Sequence, residues 1–149
     1  MSRRSLSALV LTGLTALLAA SCAGGGEPAG STVDREAAWS STIQSQGLRP
    51  AGDAIAVRVS GAAPELTVTI TVSPSAQGTY TFGDGLYGAE AYTFVDGAWA
   101  RVDTAEIRTM IAPLLSPGQS ATVKLPVKSA DFYRVVVKAD GLAAWGDSA

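Results

Sequence analysis

Covalent chemistry has few routes in a chain of 149 residues with no histidine and a single cysteine, Cys22. Without His there is no Ser-His-Asp or Cys-His nucleophile and no His-ligated zinc or copper. No Ser stands three residues before a Lys, so the Ser–Lys arrangement of penicillin-binding enzymes is missing. No Gly-rich loop ends in a Lys that could cradle phosphates. Asp84 and Glu90 have the residue types of a glycosidase pair, but acids on a half-exposed β surface are ordinarily just solvated. Asp84, Glu90 and Asp96 could offer oxygens to a hard cation, although their spacing is not that of an EF-hand loop. The expectation is a protein that is not an enzyme, with no catalytic residue, no metal and no cofactor.

Recognition is the chemistry left. The stretch "FGDGLYGAEAYTF" sets Tyr87 among glycines, which permit positive φ and close backbone approach. Such a loop is either a binding loop or a tight connection with Tyr87 resting on the nearest apolar surface. Arg134 and Trp145 form a second candidate surface, discussed below with the hairpin that sets them.

Cys22 closes an apolar run and opens a glycine tract. Arg3 and Arg4 supply a positive start, and no charge follows until Glu27. Between them "SLSALVLTGLTALLAAS" is apolar and ends in small residues, which is the anatomy of a secretory signal. The "AAS" before Cys22 resembles a bacterial lipobox, with Ala19 where that motif most often has Leu. The resemblance implies cleavage between Ser21 and Cys22, thioether diacylglycerol on Cys22 and further acylation, such as palmitate, of the new amine. Two other readings compete. An uncleaved helix would need about 20 apolar residues to span a bilayer, and the run is barely that long. An ordinary secretory signal would leave an exposed thiol in an oxidising compartment. The expected location is the cell membrane, lipid-anchored and facing the extracytoplasmic side.

The division that follows is a signal peptide over 1–21, a Gly-rich tether over 22–31 and one folded domain over 32–149, with a β core from about 51. Ten tether residues reach roughly 30 Å at full stretch. Once residues 1–21 are removed, Lys plus Arg falls from 11 to 9 against 13 acids, a net charge of −4. That excludes the basic footprint of a nucleic-acid binder. The expected partners are the membrane, through Cys22, and an unknown protein or envelope ligand.

The elements that must position these residues are mostly strands. "LTVTITVS" alternates strictly, with Leu66, Val68, Ile70 and Val72 on one face. "AIAVRVS", "TYTF" and "ATVKLPV" are further strands, the last at an edge because Pro126 cannot donate to a ladder. "SPGQ" is a β-turn signal. Asp96-Gly97 and Asp140-Gly141 each sit between strand-like runs and favour two-residue type I′ hairpins. Such turns set Phe94 opposite Trp99, Tyr92 opposite Arg101, Val136 opposite Trp145 and Val137 opposite Ala144. The face with Tyr92, Phe94 and Trp99 is expected inside the core. Trp145 is expected on the outer face, stacked by Arg134, unless a bulge at Gly146 turns the indole inward. "STVDREAAWSSTIQSQG" predicts a short helix with Trp39 and Ile43 on one side and Gly47 as its stop. "DTAEIRTMIAP" predicts either a helical turn or a strand over 108–115.

About seven short strands with turn signals between them give an all-β sandwich. "FYRVVVKADGLAAWGDSA" resembles the last two strands of an immunoglobulin-like or fibronectin type III-like domain, in which a Tyr starts an alternating strand. The resemblance implies an immunoglobulin-like β-sandwich with a short N-terminal helix. It transfers no function, since this architecture hosts many. A displayed binding or adhesion module and an accessory lipoprotein stabilising an envelope complex are the leading functional classes, ahead of an enzyme of unseen type.

Overall fold

The computed structural model describes residues 32–104 and 111–149. The expected signal peptide and tether, with Ser21 and Cys22, and residues 105–110 of the helix-or-strand segment lie outside the described residues. In chain order the elements are α1 (Thr32–Ser45), β1 (Arg49–Pro50), a 3-10 turn (Gly52–Ala54), β2 (Ile55–Ala62), β3 (Glu65–Val72) and β4 (Tyr80–Thr81). After these come β5 (Glu90–Val95), β6 (Ala98–Arg101), β7 (Leu114–Leu115), β8 (Ser120–Pro126), β9 (Arg134–Ala139) and β10 (Leu142–Asp147). The described chain is mostly β, with one α-helix.

A five-stranded sheet runs β1-β10-β9-β5-β6, a three-stranded sheet β2-β3-β8, and β4 pairs with β7. The alternation of β3 is the reason for the first interface. Leu66, Val68, Ile70 and Val72 are fully buried, while Thr67, Thr69 and Thr71 point outward and bond to Lys124, Thr122 and Ser120. Facing that apolar row across the core are Val135, Val137, Ala139 and Ala144 of the larger sheet, joined by Ile55, Phe82, Leu125, Val127 and Tyr133. Two sheets packed face to face on alternating apolar rows are a β-sandwich.

Both Asp-Gly turns adopt the expected geometry. Asp96 and Gly97 have φ of 52° and 78°, and Asp140 and Gly141 have 49° and 76°, as a type I′ turn requires at both central positions. Phe94 pairs with Trp99 and Tyr92 with Arg101; Trp145 pairs with Val136 and Ala144 with Val137. The helix stops at Gly47, where φ of 71° lets the Leu48 N–H turn back to the Ile43 carbonyl. The "SPGQ" turn closes from Gln119 N–H to Ser116 O.

The structure departs from the sequence reading in three places and settles one alternative. There are ten strands among the described residues instead of about seven, because β1, β4 and β7 are two residues long and too short to carry a pattern. β1 starts at Arg49, upstream of the expected start of the β core, and runs parallel to β10. The ladder of β10 continues through Gly146 and Asp147 without a bulge. Gly146 instead marks a close approach of the two sheets: a Cβ there would overlap the Val57 carbonyl of β2. Finally, Tyr92 and Trp99 lie on the opposite face of the five-stranded sheet from the sandwich interior, in a separate cluster under α1.

Candidate functional site

The register places one set of residues on the outer face of the five-stranded sheet. β9 contributes Arg134, Val136 and Lys138; β10 contributes Ala143 and Trp145; β5 contributes Glu90, Tyr92 and Phe94; β6 contributes Trp99 and Arg101. Helix α1 lies over this face and inserts Trp39 and Ile43, 1% and 3% exposed. Trp39 stands edge-on to three rings, Tyr92 at 5.4 Å, Trp99 at 5.1 Å and Trp145 at 5.7 Å. Edge contacts at such separations are favourable because ring edges are positive and faces negative.

Arg134 sits within this cluster, 2% exposed. Its Nε and Nη2 donate to both oxygens of Asp147, at 2.6 and 2.8 Å, and its Nη1 and Nη2 donate to Glu36 on the helix. The guanidinium lies 5.3 Å from the Trp39 ring and 4.7 Å from the Trp99 ring. The expected stack on Trp145 is thus replaced by stacks on Trp39 and Trp99. Trp145 does lie on the outer face, but its ring partner is Trp39. Burial opposes the Arg134 charge, yet bonds to Asp147 and Glu36 outweigh it and hold the pKa above the ordinary arginine value. Arg35 of the helix caps the next part of the face, 4.7 Å from the Phe132 ring and 5.8 Å from Phe94, and its carbonyl accepts the Trp99 indole N–H.

A second charged group adjoins the first. Glu90 accepts from Lys138 Nζ at 2.9 Å and Tyr92 Oη at 2.7 Å, and pairs with Arg101 at 3.3 Å. Burial alone would raise its pKa; the bonds from Lys138 and Tyr92 and the neighbouring positive charges bring it below the ordinary carboxylate value. Tyr92 is pushed up to about 12 by burial and by its bond to the Glu90 carboxylate. Asp103 takes two bonds from Arg101 and one from the Ala91 N–H. At neutral pH Glu90 stays ionised and Tyr92 protonated, and each charge is held by a partner. The Glu90 carboxylate is thereby held and oriented by Lys138, Tyr92 and Arg101.

The remaining candidates lie elsewhere. Tyr87, at φ 57°, rests edge-on to Phe82 at 5.4 Å and packs against the sandwich core. Asp84 is exposed in the same loop. Glu90 and Asp96 begin and follow β5, roughly 20 Å apart at about 3.3 Å per residue, so they do not share a site. Among the described residues no group of three or more His, Cys, Asp or Glu could hold a metal ion, and no helix is long and apolar enough to cross a membrane.

Sequence reasoning had the helix docked by Trp39, as it is, but missed which face receives it and that Glu36 and Arg35 complete that face. One signal was available. "RVVVKA" is apolar at Val135, Val136 and Val137 in succession, which marks a strand covered on both faces. Such a strand needs a second cover besides the facing sheet, and Trp39 with Ile43 is the apolar pair the helix can offer. No protein-family model matches the chain, and no curated protein matches it.

Proposed function

We propose that this chain is a lipid-anchored, non-enzymatic binding module of a bacterial envelope, held on the extracytoplasmic side by diacylglycerol on Cys22. The observation that carries the binding half is the outer face of the five-stranded sheet. It gathers Trp, Tyr and Arg, the residue types that dominate protein recognition, beneath one short helix, with the sheet-borne charges of Arg134, Glu90, Lys138 and Arg101 in ion pairs. The anchor half rests on the basic start, apolar run and small residues before the only cysteine. Two or three acyl chains, at about 0.8 kcal/mol per buried methylene, make an anchor that one chain does not.

The domain is read as immunoglobulin-like. Taking β2, β3, β5, β6, β8, β9 and β10 as strands A, B, C, C′, E, F and G, the sheets become ABE and C′CFG. Tyr133, at the entry to β9, supports this too: its Oη donates to Lys128 O and accepts from Ala130 N–H, the corner that a Tyr makes before strand F. A second reading, an accessory lipoprotein that takes up a partner strand, draws on β6, which pairs only with β5 among the described residues.

The test of the anchor is Cys22→Ala, with palmitate labelling and cell fractionation. The wild-type chain should label and sediment with membranes, and the variant should do neither. Labelling that survives in the variant, or a wild-type chain that stays unlabelled, removes the anchor.

A further inference from the structure

Helix α1 is a poor permanent cover for the face it occupies. Only Trp39 and Ile43 of its fourteen residues are buried, and seven of the fourteen are Ser, Thr, Val or Ile, which are modest helix formers. The two buried side-chain N–H groups without an acceptor among the described residues, Trp39 Nε1 and Arg35 Nε, both belong to this helix. Burying a donor without an acceptor opposes docking, and lifting the helix would hydrate both. Arg134 is not stranded by that departure. It loses Glu36 and keeps both oxygens of Asp147, on its own sheet. Gly47 gives a pivot between the helix and β1.

With the helix lifted, Tyr92, Trp99, Trp145 and Arg134 form a continuous aromatic face with one cation whose Nη1 has lost its acceptor while Asp147 keeps Nε and Nη2. We infer that α1 is an internal stand-in on a protein-recognition face, and that the partner is a helix bearing a large apolar side chain one turn after a carboxylate. The chemistry is written in α1 itself. Trp39 fills the aromatic slot, and Glu36, three residues earlier, meets Arg134. A helix laid into an apolar groove with one charge fixing its register is an established mode of peptide recognition. Being covalently attached, α1 competes at high effective concentration, so the partner displaces it by making better use of the same contacts. The inference names the partner class of the binding module proposed above and rests on that reading for its biological setting alone.

The test uses the full chain purified in detergent and a labelled, end-blocked peptide of residues 32–45. The Trp39→Ala chain, whose own helix is released, should bind the peptide saturably. The wild-type chain should bind it about ten-fold more weakly, and a Glu36→Lys peptide should lose about ten-fold on the variant chain, as expected when a paired interface charge is reversed. Amide exchange on the wild-type chain gives a second measurement independent of that variant's folding: α1 amides should exchange well ahead of those in β3 and β9. No saturable binding to a folded Trp39→Ala chain, indifference to Glu36→Lys, or α1 amides as slow as the strands would each overturn the inference. A wild-type dimer built by exchanging α1 between copies would overturn it also, by making a second copy the partner. An unlipidated Cys22 removes the anchor and leaves the titration intact, whereas a failed titration removes the lid and leaves the anchor.

Discussion

Replacing Arg134 separates the ionic and stacking contributions of the buried guanidinium. Arg134→Met removes the charge and keeps an unbranched stem between Trp39 and Trp99, whereas Arg134→Ala removes both. Breaking a buried pair costs about 3–5 kcal/mol when it strands the partner charge. Here the partners, Glu36 and Asp147, have side chains 48% and 39% exposed, so they return to water. The ionic loss should therefore fall below that range. The two stacked rings add about 0.5–2 kcal/mol each in a site as dry as this one. We expect about 2–3 kcal/mol for Met, and about 1–2 kcal/mol more for Ala as roughly two methylenes of packing are lost. The assay is urea unfolding followed by circular dichroism, extended to double-mutant cycles. Arg134 should couple to Glu36 and to Trp99 by about 1 kcal/mol each, and to Trp145 by less than about 0.5 kcal/mol. Equal losses for Met and Ala, or a Trp145 coupling as large as that of Trp99, would refute the arrangement.

Tyr92 makes stability fall at alkaline pH. Its folded pKa of about 12 lies above the ordinary 10.0, so the folded state favours the neutral phenol; that contribution is complete below pH 10 and lost as the pH rises through 12. Unfolding curves across this window should slope downward in the wild type and much less in Tyr92→Phe. Gly146→Ala should cost at least about 2 kcal/mol, because its Cβ has no space beside the Val57 carbonyl. Gly78→Ala, with no atom within 4 Å, should stay within about 1 kcal/mol of wild type; comparable thermal melts for the two alanine variants would contradict the close approach.

Register was legible because an Asp-Gly turn fixes the phase of both flanking strands at once. From Asp96-Gly97 and Asp140-Gly141 alone follow the pairs Phe94–Trp99 and Val136–Trp145. Alternation on β5 separates Tyr92 from Ala91 but does not say which of the two faces meets the other sheet. Of the aromatic row expected in the sandwich core, Tyr92 is buried and Trp99 partly buried in a second cluster on the far side, and Phe94 joins neither cluster. Arg134 illustrates the remaining limit. Its nearest cation-accepting neighbours in the hairpin pointed to Trp145, whereas Glu36 and Trp39 stand almost a hundred residues upstream and carry no local mark of that meeting. Burial alone decides between them. At 2% exposure the remaining guanidinium N–H groups also need acceptors, and the hairpin supplies only Asp147.

The gathering of Trp39, Trp99 and Trp145 in one cluster has an optical consequence, because these are the only three tryptophans of the chain. The sandwich interior contains none, so intrinsic indole emission is blind to it and views the helix–sheet seam alone. Backbone ellipticity, in contrast, is dominated by the strands. The natural protein thus carries two spectrally separate gauges of its two hydrophobic clusters, with no label added. If the emission and ellipticity transitions coincide on heating, the seam and the sandwich melt as one unit. If emission shifts first, the temperature gap between the two curves measures how loosely the helix is held.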